Sequence, residues 1–369
     1  MICLKETNEE LERESFGGVD ITRIPLRHRR AGKFTYLAQY GSFILISGGI
    51  LASRALRRPY DLVHVHNMPD VLVFSAIVPK ILGAKVILDL HDPMPELMET
   101  IFGSRENGFL VGLLKKFEKW SIGFADVVIT CNEAFKRIFL SRSCSPEKIT
   151  VIMNSPDERI FRHRQPWGLD PGVRDGSKSF VIMYHGALEK RHGLDLAVKA
   201  MRKVRKTIPN AELRIYGRST SFLKQVMDLV GKSELSEAVR YLGCKSLEQI
   251  SDAMSECDVG IIPNRRSKFT QLNMPTRIFE FLSQARPVIA PRSAGIMDYF
   301  GPGELVLFEL GDADDLAAKI EFVFGHPQEM IGIVERGQEV YRKHKWSSER
   351  LRFLSLVDRL LISSHRILS

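Results

Sequence analysis

Glu280 is the only acid in the run Pro275-Thr-Arg-Ile-Phe-Glu-Phe-Leu-Ser-Gln-Ala-Arg-Pro-Val-Ile-Ala290. Pro275 suits the first turn of a helix, where its missing N–H costs nothing. Ile278, Leu282 and Ala285 space out as an apolar stripe, and Arg277, Glu280, Phe281 and Gln284 fall on a neighbouring face. Pro287 ends the helix, and Val288-Ile289-Ala290 reads as a strand buried on both faces. A carboxylate so placed, aimed at the carboxyl edge of a parallel sheet, sits where open α/β folds bind ligands. It can accept from two vicinal hydroxyls at once. The plainer alternative is a surface ion pair with Arg277, worth little.

A second constellation is His185-Gly-Ala-Leu-Glu-Lys-Arg-His-Gly193, between an apolar strand and a helix opening Leu194-Asp195. Gly186 and Gly193 let backbone N–H groups approach an anion, the helix dipole favours negative charge, and Lys190 and Arg191 add fixed positive charge. An ordinary strand–helix loop with exposed bases is an equal reading on these residues alone. The third, Leu88-Asp-Leu-His-Asp-Pro-Met-Pro-Glu96, ends a strand with Asp89, His91, Asp92 and Glu96, and its two prolines predict a non-helical loop. A metal cluster is disfavoured there, because the run holds one histidine. His64-Val-His66-Asn67 is a similar strand end, with both histidines on one face.

The elements that must position these groups alternate along the chain, which predicts parallel sheets wrapped by helices. Strands are expected at 61–66, 85–90, 126–130 and 149–153, with helices near 70–82, 109–123 and 132–140. A Pro-, Gly-, Arg- and Asp-rich loop over 154–178 marks a boundary. The pattern restarts with strands at 180–184, 211–216, 239–242, 258–262, 288–290 and 304–308. Helices fall near 193–206, 220–231, 246–255, 276–285, 312–325, 328–344 and 347–362.

Together these motifs resemble the retaining glycosyltransferases of family 4, which have two facing Rossmann-like domains (the GT-B fold). The resemblance rests on Pro275-Thr-Arg277, Glu280 and Pro287-Val-Ile289, on the glycine-started loop ending Arg191-His-Gly193, and on the boundary Asn154-Ser-Pro-Asp157. It implies an N-terminal acceptor-side domain over 1–160, a nucleotide-sugar domain over 161–345, and a terminal helix, 346–369, crossing back. It implies that Glu280 holds the donor ribose, that Gly186, Lys190, Arg191 and Arg277 hold the diphosphate side, and that His91 and Asp92 face the bond-forming centre. His91 capping a strand end is the simpler alternative. His66, Asn67 and Glu96 would support them, and neither metal nor cofactor would be needed. The loop Gly243–Leu247 would meet the nucleotide base through backbone atoms. Leu272 stands where many members carry a second acid touching the sugar, and Ala187 and Ala285-Arg286 replace commoner residues. The family opens with a strand, a glycine-rich turn and a helix before the equivalent of Ile2–Lys5. Their absence leaves a catalytically inactive binding or assembly subunit as an alternative to a hexosyl- or aminohexosyltransferase, with an epimerase a lesser one.

At 369 residues and 44% hydrophobic, the chain suits two domains. Its five cysteines, Cys3, Cys131, Cys144, Cys244 and Cys257, form no C-x-x-C pair and fit reduced thiols in the cytoplasm. Of the net charge of +9, residues 21–60 carry nearly all: Arg23, Arg27, Arg29, Arg30, Lys33, Arg54, Arg57 and Arg58, with no acid. The uncharged stretch between Lys33 and Arg54 is diluted by polar residues and a Gly48-Gly49 pair. It reads as an interfacial or packed helix rather than a membrane span. An anionic membrane surface is the expected partner, beside a nucleotide-sugar donor and a glycan or lipid-linked acceptor. Nucleic acid is not, since no aromatic residues interleave the bases in a stacking pattern.

Overall fold

Short runs of Val and Ile between turn residues become strands, and every amphipathic stretch between them becomes a helix. The computed structural model describes residues 1–7, 9–26, 33–103, 108–166 and 179–365. Part of the boundary loop (167–178) and Arg27, Arg29 and Arg30 lie outside them. The first sheet is small: β1 (Ile2–Leu4), β2 (Arg13–Phe16) and β3 (Val19–Ile24), in the order β1-β3-β2. β2 and β3 form an antiparallel hairpin closed by Gly17 and Gly18, with φ of 58° and 80°. Two successive positive φ angles are what such a tight turn requires, and glycine supplies them without strain. This hairpin has no counterpart among the expected strands, because it is short and half-exposed.

The helix Lys33–Arg57 follows. Phe43, Ser47 and Ala55 face inward, while Leu45 and Leu56 are 77% and 72% exposed. No helix among the described residues is long and apolar enough to cross a membrane.

The second sheet is parallel, in the order β4 (Leu62–His66), β5 (Lys85–Leu90), β6 (Val127–Thr130) and β7 (Ile149–Val151). The stretch expected as one helix over 70–82 is instead a 3-10 segment, Asp70–Ala76, running into a short α-helix, Ile77–Ile81. The Pro93-Pro95 loop also differs from expectation. A helix, Met94–Phe102, begins there, with Pro95 in its first turn. The prolines start the helix rather than prevent it, since first-turn N–H groups need no intrahelical partner.

The third sheet is also parallel. It comprises β8 (Phe180–His185), β9 (Ala211–Tyr216), β10 (Val239–Tyr241), β11 (Val259–Ile261), β12 (Val288–Arg292) and β13 (Val306–Glu309), in the order β10-β9-β8-β11-β12-β13. The chain leaves β8 toward one edge and returns to its other side with β11. The order reverses between β8 and β11, and at such a switch point an open α/β sheet offers a ligand crevice outside the carboxyl ends of its strands.

The terminal helix, Trp346–His365, lies on the second sheet. Phe353, Leu356, Val357 and Leu360 pack against Ile87 and Ile129 of β5 and β6. Buried Glu349 fixes its start, accepting from the Met153 backbone N–H (3.1 Å) and from Arg352 (2.8 Å).

Candidate functional site

The crevice of the third sheet is built around the helix Arg277–Ser283. That helix is buried almost all round, not along one stripe: Ile278, Phe279, Phe281 and Leu282 are each at most 1% exposed. Phe281 lies over Gly260 of β11, where a Cβ would come within 2.5 Å of the ring, so only glycine admits the helix. At its end the Arg286 N–H reaches Phe281 O (2.9 Å) and the Ala285 N–H reaches Leu282 O (3.0 Å). This paired closure needs a left-handed residue, and Ala285 takes it at φ 55°.

So held, Glu280 points at His185, the last residue of β8. Glu280 Oε2 is 3.1 Å from His185 Nε2, at a poor angle for a hydrogen bond. Both atoms are buried, and neither has a better partner among the described residues. His185 was not among the residues singled out from sequence. Its position just before Gly186, at the end of a wholly buried strand, was the available signal. Arg277 does not pair with Glu280. Its Nη1 donates to His185 O (2.6 Å), and its guanidinium lies over the Tyr184 ring, 4.9 Å from the centroid. Gly186, at φ 120°, fits beneath it, where a Cβ would be 3.3 Å from Arg277 Cδ.

The loop after Gly186 is tied down by its carbonyls. Ala187 O accepts from Tyr184 Oη (2.7 Å) and faces His192 Nδ1 at 2.8 Å, while Leu188 O accepts from Thr220 Oγ1 (2.6 Å). Gly193 is left-handed, at φ 66°, and a Cβ there would strike Pro263 O at 1.9 Å. Burial, with the nearby Arg277 charge, pushes His192 down to about 3, so it is neutral near pH 7. Arg265, past β11, is paired with Asp195 in the next helix. Lys190 is exposed, and Arg191 is half-buried with its Nε unpartnered. Neither has an ion pair among the described residues. Asn264, fully buried beyond β11, also leaves both side-chain polar atoms without a partner among the described residues. Buried polar groups are ordinarily satisfied, so unpartnered ones in a crevice point to a ligand.

The first half faces this crevice with the ends of β4 and β5. Asn67 organises them: its Oδ1 accepts from the His91 N–H (2.9 Å), and its Nδ2 donates to Asp92 O (3.0 Å) and Asp70 Oδ1 (2.9 Å). His66 Nδ1 lies 2.9 Å from His91 Nε2. Burial pushes the Asp92 carboxyl up, opposed by the charges of His91 and Arg191. Arg191 of the second half is thus within electrostatic reach of Asp92 of the first. Glu96 turns elsewhere, held by both ends of the Arg142 guanidinium (2.6 and 3.0 Å), which also binds buried Glu118. The halves are joined by the Glu133 N–H donating to Tyr299 Oη (2.9 Å), by Arg137 with Asp298 (2.8 Å) and by Lys268 with Glu99 (3.3 Å). Beside the last pair is a cleft of about 320 Å³, lined by Pro95, Glu99, Lys115, Lys268 and Leu272. Leu272 packs against the core of the second sheet.

Comparison with known proteins agrees with this geometry. An uncharacterized glycosyltransferase of Methanocaldococcus jannaschii is 22% identical over 341 residues, covering 92% of this chain and 85% of its own. Sucrose-phosphate synthase of Thermosynechococcus elongatus superposes with a TM-score of 0.78 at 17% identity, covering 98% of this chain and 89% of the other. Anabaena HepE in complex with UDP-glucose superposes at 0.69 and 16% identity, covering 93% and 86%. These likenesses show the two-Rossmann-domain GT-B fold. Residues 1–155 match the glycosyl transferase 4-like domain and residues 172–339 match glycosyl transferases group 1, so the chain belongs to the group 1 glycosyltransferases.

Proposed function

We propose that this glycosyltransferase moves a hexose or N-acetylhexosamine, with retention, from a UDP-linked donor to a glycan or lipid-linked acceptor. The observation that carries the reading is Glu280, whose Oε2 is buried and without a good partner at the switch point of the third sheet, with Lys190 and Arg191 in the loop that follows β8. A carboxylate there can accept from both ribose hydroxyls, and Lys190 and Arg191 can hold the departing diphosphate. UDP-glucose bound by Anabaena HepE, which shares the fold, supports the choice of donor. His91, set by Asn67, would bind a sugar hydroxyl, and Asp92 would lie between it and Arg191. With Glu280 given to the ribose, no strong nucleophile among the described residues stands free in the crevice, which favours front-face displacement, with both partners held in place and the leaving group stabilised. The outward apolar residues of the helix Lys33–Arg57, next to Arg57 and Arg58, suit an anionic membrane carrying the acceptor.

Calorimetry with UDP, followed by transfer assays with a panel of UDP-sugars, tests the reading. Glu280→Gln should weaken UDP-sugar binding about 10- to 100-fold through loss of charge-assisted hydrogen bonds. Unchanged affinity in that variant would remove Glu280 from the donor site. Leu272, packed into the first half instead of offering an acid, favours a second reading: a subunit that binds nucleotide sugar without turning it over. UDP binding without transfer to any acceptor would select it.

A further inference from the structure

We propose that His64, His66 and Asp89 form a binding site for a divalent transition-metal ion of the zinc class. The run Asp89–Asp92 offers one histidine by itself, but strand pairing brings two more. His66 is in register with Asp89, and His64 shares its face of β4 because side chains alternate. One donor atom from each of the three residues lies within 4.8 Å of the others. His64 Nε2 is 3.2 Å from Asp89 Oδ2, and His66 Nδ1 is 3.4 Å from the same oxygen. Ligands at zinc–nitrogen and zinc–oxygen distances of about 2.0–2.1 Å in a tetrahedron stand about 3.3 Å apart. Two edges of one face of that tetrahedron, those from Asp89 to each histidine, therefore already have this spacing, and the third lies within 4.8 Å.

The surroundings fit a site closed on one side. The His64 ring stacks on Phe353 of the terminal helix at 5.4 Å, which limits its rotation. Asp89 is largely buried, whereas the His66 side chain is 58% exposed, so an ion can enter from the crevice side. His91 Nε2, 3.7 Å from Asp89 Oδ2, stands next to the open position. Two imidazoles and one carboxylate select zinc, cobalt, nickel or copper over magnesium or calcium, which prefer all-oxygen sites. An ion on His66 Nδ1 would end its contact with His91, so occupancy and the position of His91 are coupled. The site stands on its own donors and does not depend on sugar transfer.

The test is a cobalt(II) titration of the untagged full-length chain near neutral pH. The expected result is one ion per chain with the intense visible absorption of tetrahedral cobalt, displaced by one equivalent of zinc(II) and unaffected by excess magnesium(II). His64→Gln and His66→Gln should each weaken cobalt binding by at least about 10-fold, and His163→Gln should not. NMR of the wild type keeps the test independent of how the variants fold: zinc(II) should shift the imidazole signals of His64 and His66 together. A wild type that retains no cobalt, cobalt retained equally by both histidine variants, or zinc that leaves those two imidazoles unmoved would each overturn the proposal.

Discussion

Individual side chains in this protein are constrained less by what they touch than by what they lack. Glu280, His185 and Asn264 each carry buried polar atoms that find no good partner among the described residues. Of these, sequence marks only Glu280 by itself, as a lone acid in an apolar helix; His185 opens the glycine-loop run, whose reading rests on the glycines and bases that follow it. Arg277 was legible as a neighbour of Glu280, but its true partner, a backbone carbonyl, has no signature in residue types. Glu96 is expected to support His91 and Asp92, but Arg142, 46 positions away, holds it instead. Asp70 makes a further testable case. Burial pushes its carboxyl up to about 7, with the Asn67 hydrogen bond opposing. The folded state then keeps the proton to higher pH than the unfolded state. Its contribution to stability is full below about pH 4 and is lost as pH rises through the folded value. Denaturant melts at stepped pH should show wild-type stability declining across that window, and Asp70→Asn should flatten the decline. Equal slopes in the two proteins would show that Asp70 titrates normally.

At the scale of elements, the parallel strands and the helices between them were readable nearly to the residue, since each is a run of one hydrophobic period between turn residues. The 3-10 start of the stretch expected as one helix over 70–82 was not, nor were two other features. The β2–β3 hairpin is too short and exposed to alternate convincingly, and Pro93-Pro95 marks a helix start as readily as a break. The helix Arg277–Ser283 shows a further limit. Its end is set by a left-handed Ala285, where the sequence offered only an alanine before Arg286-Pro287. Glycine adopts that conformation without a Cβ penalty, so Ala285→Gly should stabilise the chain by about 0.5–1 kcal/mol. A lower denaturation midpoint in that variant would mean that the Ala285 methyl, 5% exposed, packs more favourably than its backbone is strained.

At the scale of the molecule, the terminal helix and the contacts around Tyr299 and Asp298 decide how the two halves face each other. Leu356, 7% exposed, is the centre of the helix contact with β5 and β6. Leu356→Ala should cost about 2–4 kcal/mol and raise hydrogen exchange in β5 and β6 more than in β8 and β9. Uniform loss of protection would mean that the halves unfold as one unit. The outward face of Lys33–Arg57 makes a second prediction at this scale. Leu45→Glu with Leu56→Glu should abolish co-flotation with anionic vesicles and leave neutral-vesicle controls unchanged; undiminished flotation would place any membrane contact elsewhere. The terminal helix also bears on how the protein is made. β5 emerges from the ribosome early, yet one of its faces stays bare until residue 353 has been translated. Through the whole synthesis of the second half, the nascent first half carries an open greasy strip, available to chaperones or to the wrong neighbour. The order of translation, as much as the final packing, therefore determines what that strip meets first.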